Sequence, residues 1–352
     1  MTGRAVRPPV AGGCDAAIAS QGDLPVFVSS EAAQLVFDWP TAIAALQDAY
    51  SRPEEPRSAP PRSIAASRDA WLRCLPAVPP GGKYFGAKLM GMATGAPDPA
   101  CQYVIVLFDR DRSRIAGFVD GEKVTAYRTA AATAAAVDRM APKRPLRLAV
   151  LGSGLEATMH TRAFVAIRQL SAVTVFSPTE ARREEFARQV EAELGVPANA
   201  AETAEEAVRG ADLVLAAARS RGELPILFGA WLQPGALAVS IGSTVPAQRE
   251  IDVSVVAQSD LIVCDAVHEV VEETGDMIAA VSAGIDVRGK CFAMSELMNG
   301  NLAERLAVAR FPMFKSVGGG LQDVVIAGMI LDRALAAGLS TATPLRFAEK
   351  RV

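Results

Sequence analysis

Three features of the sequence predict an α/β chain built on a doubly wound parallel sheet. A short apolar strand runs straight into Gly152-Ser153-Gly154. Apolar strand signals then alternate with helical stretches of about ten to fifteen residues, the pattern of right-handed βαβ units. The flanks differ: a mostly β region precedes this centre and a single helix follows it.

In chain order, residues 1–24 carry Arg4, Arg7, Pro8, Pro9 and Asp15 without an apolar core, so a loose tail is expected rather than a leader peptide. Residues 51–62, rich in Pro, Arg and Ser, suggest an irregular or edge segment. Residues 71–75, 84–89 and 103–108 read as strands of a meander with glycine- and proline-marked turns. Residues 129–140 form an alanine-rich helix. Pro145 closes that region, and 146–151 is the strand that meets the glycines. A helix to about Leu170, a strand at 172–176 and a charged helix at 178–194 follow. Apolar strands are expected at 212–218, 236–241 and 261–265. Gly318-Gly319-Gly320 leads into a last helix, 321–337, stopped by Gly338.

Composition narrows the function classes. The 352 residues are 50% hydrophobic and 21% charged, an ordinary globular balance. Lys plus Arg is 36 against 39 Asp plus Glu, a net charge of -3, which argues against nucleic acid as the main partner. No apolar run reaches the roughly 18 residues of a membrane span. Five cysteines, odd in number and without C-x-x-C spacing, read as free thiols in a reducing cytoplasm. With only His160 and His268, a histidine-based metal site or a Ser-His-Asp triad has little material, and neither histidine is assigned a catalytic role.

Gly152-Ser153-Gly154-Leu155-Glu156-Ala157 is G-x-G-x-x-A between a strand and a helix. Gly152 makes the tight turn, Gly154 lets the backbone approach a pyrophosphate, and the helix start at Leu155 and Glu156 offers unpaired N–H groups. A dinucleotide cofactor is therefore expected on a Rossmann fold. An NAD site usually places an acid at the tip of the second strand, where it accepts from the ribose hydroxyl. Here that place holds Ser177-Pro178-Thr179-Glu180 followed by Arg182 and Arg183, which favours NADP(H) over NAD(H). Ser177, Pro178 and Glu180 also form a capping box, which explains these residues without any ligand.

Five separated segments together resemble the ornithine cyclodeaminase/mu-crystallin family. They are Pro60-Pro61-Arg62; Gly86 to Leu89; Thr125 to Ala131; the glycine motif; and Phe314 to Gly318 with Gln322-Asp323. Trp231 to Gly235 and Arg249-Glu250 also look like family positions. The resemblance runs from about residue 25 to 345. It implies a homodimer, with residues 144–309 as the dinucleotide-binding domain and 25–143 with 310–352 as a discontinuous α+β substrate and dimerisation domain. It further implies that Arg62, Lys88 and Arg128 hold the carboxylate of a small amino or imino acid. Charge-assisted hydrogen bonds from two guanidinium forks and an ammonium suit that task. Asp323 is implied near the nicotinamide pocket as a second catalytic group beside Lys88. Thr129, Ala218, Ser243 and Val317 join the cofactor contacts.

One position departs from the pattern. Cyclodeaminases of this family carry an aspartate after the fifth strand of the parallel sheet, shortly before a proline and a glutamate. Aligned on Pro246 and Glu250, that position is Thr244, whose hydroxyl cannot serve as a carboxylate base. The expected activity is thus NAD(P)H-dependent reduction of a ketimine or iminosuccinate-like acid, or the reverse dehydrogenation. Two alternatives stand at this point: a cyclodeaminase using another carboxylate, and a non-enzymatic NADP-binding protein.

Overall fold

The computed structural model describes residues 24–350 apart from 54, 56, 220, 221 and 349. The expected tail therefore lies outside the described residues, save for its last position.

Fifteen strands form two sheets among the described residues. Six come first: β1 (Val26–Val28), β2 (Ser63–Ala66), β3 (Ala70–Ala77), β4 (Tyr84–Ala93), β5 (Cys101–Asp109) and β6 (Arg114–Asp120). The others are β7 (Leu146–Leu151), β8 (Leu170–Phe176), β9 (Ala198–Ala200), β10 (Leu213–Ala216), β11 (Leu237–Ser240), β12 (Leu261–Cys264), β13 (Cys291–Ala293), β14 (Pro312–Lys315) and β15 (Thr341–Ala342). The first sheet runs β15-β1-β6-β5-β4-β3-β2, with an antiparallel meander from β2 to β6. The second, all parallel, runs β13-β12-β14-β11-β10-β7-β8-β9. From β7 the chain moves outward to β8 and β9, then returns to β10 on the other side of β7. That reversal opens a crevice at the carboxyl ends of β7 and β10, where open α/β sheets bind ligands.

The alanine-rich helix, Gly121–Met140, lies between the two sheets, touching β5 of one and β11 and β14 of the other. Ala130 to Ala132 and Ala134 to Ala136 have no exposed surface, as expected of a helix that is apolar all round. It starts eight residues before the predicted Thr129, because Asp120 caps it by accepting from the Glu122 N–H (2.9 Å). Arg128 thus sits in the helix interior. The last helix, Gly320–Ala337, packs on β3 and β4 of the antiparallel sheet.

Two expectations need correction. The boundary at 309/310 does not divide the two sheets, since β14 is a central strand of the parallel one, between β11 and β12. Its sequence, Pro-Met-Phe-Lys, hides this. Lys315 is wholly buried there, bonded to Ser240 Oγ (2.8 Å) and paired with Asp276 (3.2 Å). The capping box also does not form. The helix begins at Glu180 with Thr179 as N-cap and no side-chain cap bond, because the Ser177 hydroxyl turns toward the glycine motif. Among the described residues, no helix is long and apolar enough to cross a membrane.

Candidate active site

The glycine turn has the geometry of a phosphate cradle. Gly152 takes φ 124°, and a Cβ there would stand 2.8 Å from the Ala217 carbonyl oxygen and 3.0 Å from the Ala218 methyl. Only glycine lets the ends of β7 and β10 approach this closely. Gly154 faces open space and caps the following helix, Leu155–Ile167, with no side-chain bond, so the first N–H groups of the helix have no cap among the described residues. Leu155 is 59% exposed at that start. Ser153 Oγ donates to Ser177 Oγ (3.0 Å), tying the turn to the tip of β8. Thr179 and Arg182 are exposed beside it, and the Arg182 guanidinium makes no ion pair among the described residues. Arg183 donates to the Ser177 carbonyl (3.3 Å). These residues fit a dinucleotide.

Two carboxylates, the buried Glu250 and the half-buried Asp265, shape the other loops at this edge. Glu250 accepts from the N–H groups of Ala218 (3.1 Å), Ile241 (2.9 Å) and Gly242 (2.9 Å) and from Ser240 Oγ (2.5 Å), pinning the ends of β10 and β11. Ser243 is buried and donates to the Gln248 carbonyl (2.6 Å). Asp265, just past β12, accepts from Ser316 Oγ (2.6 Å), the Val317 and Gly318 N–H groups (3.0 and 2.9 Å) and Gln322 Nε2 (3.0 Å). Asp265 carries no local sequence signal, since its partners lie 51–57 residues further along the chain.

Lys88, Arg128 and Asp323 meet although they come from β4, the alanine-rich helix and the last helix. Lys88 Nζ lies 2.9 Å and Arg128 Nε 3.0 Å from the same oxygen, Asp323 Oδ1. All three are buried. Asp323 Oδ2 is inaccessible and has no hydrogen-bond partner among the described residues. Burial lowers the Lys88 ammonium to about 8, against the pull of the Asp323 charge. Gly318, at φ 77°, makes room for Arg128, since a Cβ there would lie 2.1 Å from Nη1. The Arg128 charge also reaches Glu156 in the phosphate helix, whose carboxyl burial pushes up and Arg128 pulls down. Thr129 turns its hydroxyl back to the Thr125 carbonyl (2.7 Å).

Arg62 is committed differently from expectation. Its backbone N–H (2.9 Å) and Nε (2.6 Å) donate to Glu269, with which Nη2 also pairs, and Nη2 further donates to the Val317 and Gly318 carbonyls (3.1 Å each). Among the described residues only Nη1 is left to offer a ligand, so the free fork expected from the sequence is not available. Glu269 gave no local signal, lying 207 residues away.

Thr244 donates from both its N–H (2.9 Å) and its hydroxyl (3.1 Å) to Gln248 Oε1, so this side chain closes its own loop. His160 is buried between the Glu156 carbonyl (2.7 Å) and Thr133 Oγ1 (3.1 Å), and burial drops its pKa to about 4. It is a neutral structural residue, whereas His268 is exposed. A cleft of about 350 Å³ lies alongside, bordered by Tyr50, Arg52, Pro61 and Met294, and meets the site at Asp265 and Glu269.

The chain is similar to known proteins along most of its length. The pattern of the ornithine cyclodeaminase/mu-crystallin family matches residues 31–338. The ketimine reductase mu-crystallin of Mus musculus is 28% identical over 298 residues, covering 83% of this chain and 90% of that protein. The delta(1)-pyrroline-2-carboxylate reductase of Paracoccus denitrificans is 27% identical over 325 residues, covering 89% and 98%. The iminosuccinate reductase of Paracoccus denitrificans, solved in complex with NAD+, superposes with a TM-score of 0.82 at 22% identity, covering 92% of this chain and all of that one. That last likeness shows the shared fold.

Proposed function

The chain belongs to the ornithine cyclodeaminase/mu-crystallin family, and from that premise we propose that it reduces the C=N bond of a small imino acid with a nicotinamide dinucleotide, or runs the reverse dehydrogenation. One observation carries this reading: a buried ammonium, Lys88, sits with Arg128 on a single carboxylate oxygen, Asp323 Oδ1. The relatives named ketimine reductase and pyrroline-2-carboxylate reductase support it. Thr244 speaks against ring closure with loss of ammonia, which needs a carboxylate in that position.

Gly152, Gly154, Leu155 and Glu156 would cradle the pyrophosphate, with Ala218, Ser243, Val317 and Thr129 placed around the rest of the cofactor. When bound, the reduced nicotinamide supplies the hydride for the imine carbon. Arg128, with Arg62 Nη1, holds the substrate carboxylate. Lys88 Nζ carries the proton that the imine nitrogen takes up, and Asp323 Oδ1 holds Lys88 and Arg128 in place for it. Burial of all three side chains keeps water from the reacting bond.

For the finer choice of cofactor we favour NADP(H), supported by Ser177, Thr179 and Arg182, which makes no ion pair among the described residues, where an acid would otherwise stand. Residues 25–143 and the chain after β14 would form the substrate and dimerisation domain, and 144–315 the dinucleotide-binding one. An open edge at β2, flanked by the exposed Ile64 and Leu72, supports a homodimer. A cytoplasmic setting accords with free Cys74 and Cys101 and a soluble cofactor. The test is cofactor oxidation with a panel of cyclic and acyclic imino acids. Turnover with at least one supports the proposal; tight cofactor binding without turnover, or proline and ammonia from ornithine, overturns it.

A further inference from the structure

We propose that Arg73 determines substrate specificity, and that the imino acid reduced here carries a second carboxylate on its side chain. This rests on the imine-reductase reading above and deepens it.

The register of the antiparallel sheet puts Arg73 on the reacting face. Leu75 pairs with Lys88 and Lys88 with Ile105, while Arg73 pairs with Met90 and Met90 with Tyr103. Side chains alternate along a strand, so these six residues share one face. Leu75, Lys88 and Ile105 form its buried part, and Arg73 stands one step further along, a diagonal neighbour of Lys88 at about 7–8 Å between backbones.

Accounting for the cations singles Arg73 out. Lys88 and Arg128 share Asp323, and Arg62 is held by Glu269. Arg73 makes no ion pair and no side-chain hydrogen bond among the described residues, and its Nε is inaccessible to water. Its guanidinium lies over the Trp71 ring, 5.7 Å from the centroid. Burial and then the Arg62 charge disfavour its positive charge, while Glu269 supports it, so it faces the same cluster. Glu269, however, has both oxygens on Arg62. A half-buried guanidinium with an unpartnered nitrogen is costly unless an anion completes it. A second carboxylate on the substrate supplies that anion, and its planar fork matches a guanidinium. The reaction is then an iminodicarboxylate plus reduced cofactor plus one proton giving an aminodicarboxylate plus oxidised cofactor.

The experiment compares kcat/KM for oxidation of L-aspartate and L-glutamate with their neutral isosteres L-asparagine and L-glutamine, in the parent, Arg73→Gln and Arg73→Lys proteins. The parent should prefer the charged member by about tenfold or more, the worth of one charge-assisted hydrogen bond. Arg73→Gln should bring that ratio toward one, with Arg73→Lys between. A purely structural role would slow all four substrates alike. Equal or better use of the neutral amino acids by the parent, with turnover intact, overturns the role of Arg73 and leaves the reductase reading standing. No oxidation of any amino acid together with no reduction of any imine overturns both.

Discussion

Asp323→Asn changes one atom in the centre of the site, and its effect on pH dependence follows from the geometry. Burial takes Lys88 down from its ordinary 10.5 to about 8, and the contact with Asp323 at 2.9 Å keeps it from falling further. Reduction requires the protonated ammonium, so kcat/KM for an imine should fall as pH rises through about 8. The asparagine retains shape and an acceptor oxygen but removes the charge. A hydrogen bond to a charged group is worth about 1.5–3 kcal/mol, which at about 1.36 kcal/mol per unit lowers the Lys88 pKa by roughly 1–2 units. The descending limb should therefore move from about pH 8 to about pH 6–7, and in the oxidative direction the rising limb should move equally. Steady-state rates across this range, with cofactor affinity measured in parallel, provide the assay. A limb that stays in place or moves upward would refute the pairing of Lys88 with Asp323 as the device that sets the proton.

Arg182→Ala should weaken NADPH binding more than NADH binding, because the guanidinium is exposed beside Ser177 with no ion pair among the described residues; equal affinities of the parent for both cofactors would remove NADP from the account. Gly318→Ala should raise KM for the substrate several-fold with little effect on cofactor affinity, since the new methyl displaces Arg128 Nη1; an unchanged KM would separate Arg128 from the substrate carboxylate. His160 has a folded pKa of about 4 against an ordinary 6.5, so the unfolded chain binds more protons between those values. Its contribution to stability is full above pH 6.5 and is lost as pH falls toward 4, by about 3 kcal/mol. Denaturant unfolding of His160→Gln should lack that part of the acid slope, and an identical slope in both proteins would contradict a buried neutral imidazole.

Legibility in the sequence tracked how local each signal was. The glycine turn could be read because strand, turn and helix follow one another within about twenty residues. Lys88, Arg128 and Asp323 were found through separate motifs, and their convergence on one oxygen appears only when the last helix folds back onto β3 and β4. Ser177 suited a capping box as well as a turn contact, and its partner Ser153 lies 24 residues away. β14 escaped because a proline and a lysine do not look like a central strand, and Lys315 is tolerated there only through Asp276 and Ser240. Glu269 and Arg73 carry no local pattern. What marks them is charge across the fold, Glu269 by taking Arg62 and Arg73 by making no ion pair among the described residues.

The most direct test follows the hydride itself. With cofactor carrying deuterium at both nicotinamide C4 positions and a small imino acid that the protein turns over, one deuterium should appear at the α-carbon of the amino acid for each cofactor oxidised, read by NMR of the product. Cofactor that binds and is not consumed, or an amino acid formed without deuterium at that carbon, would contradict it.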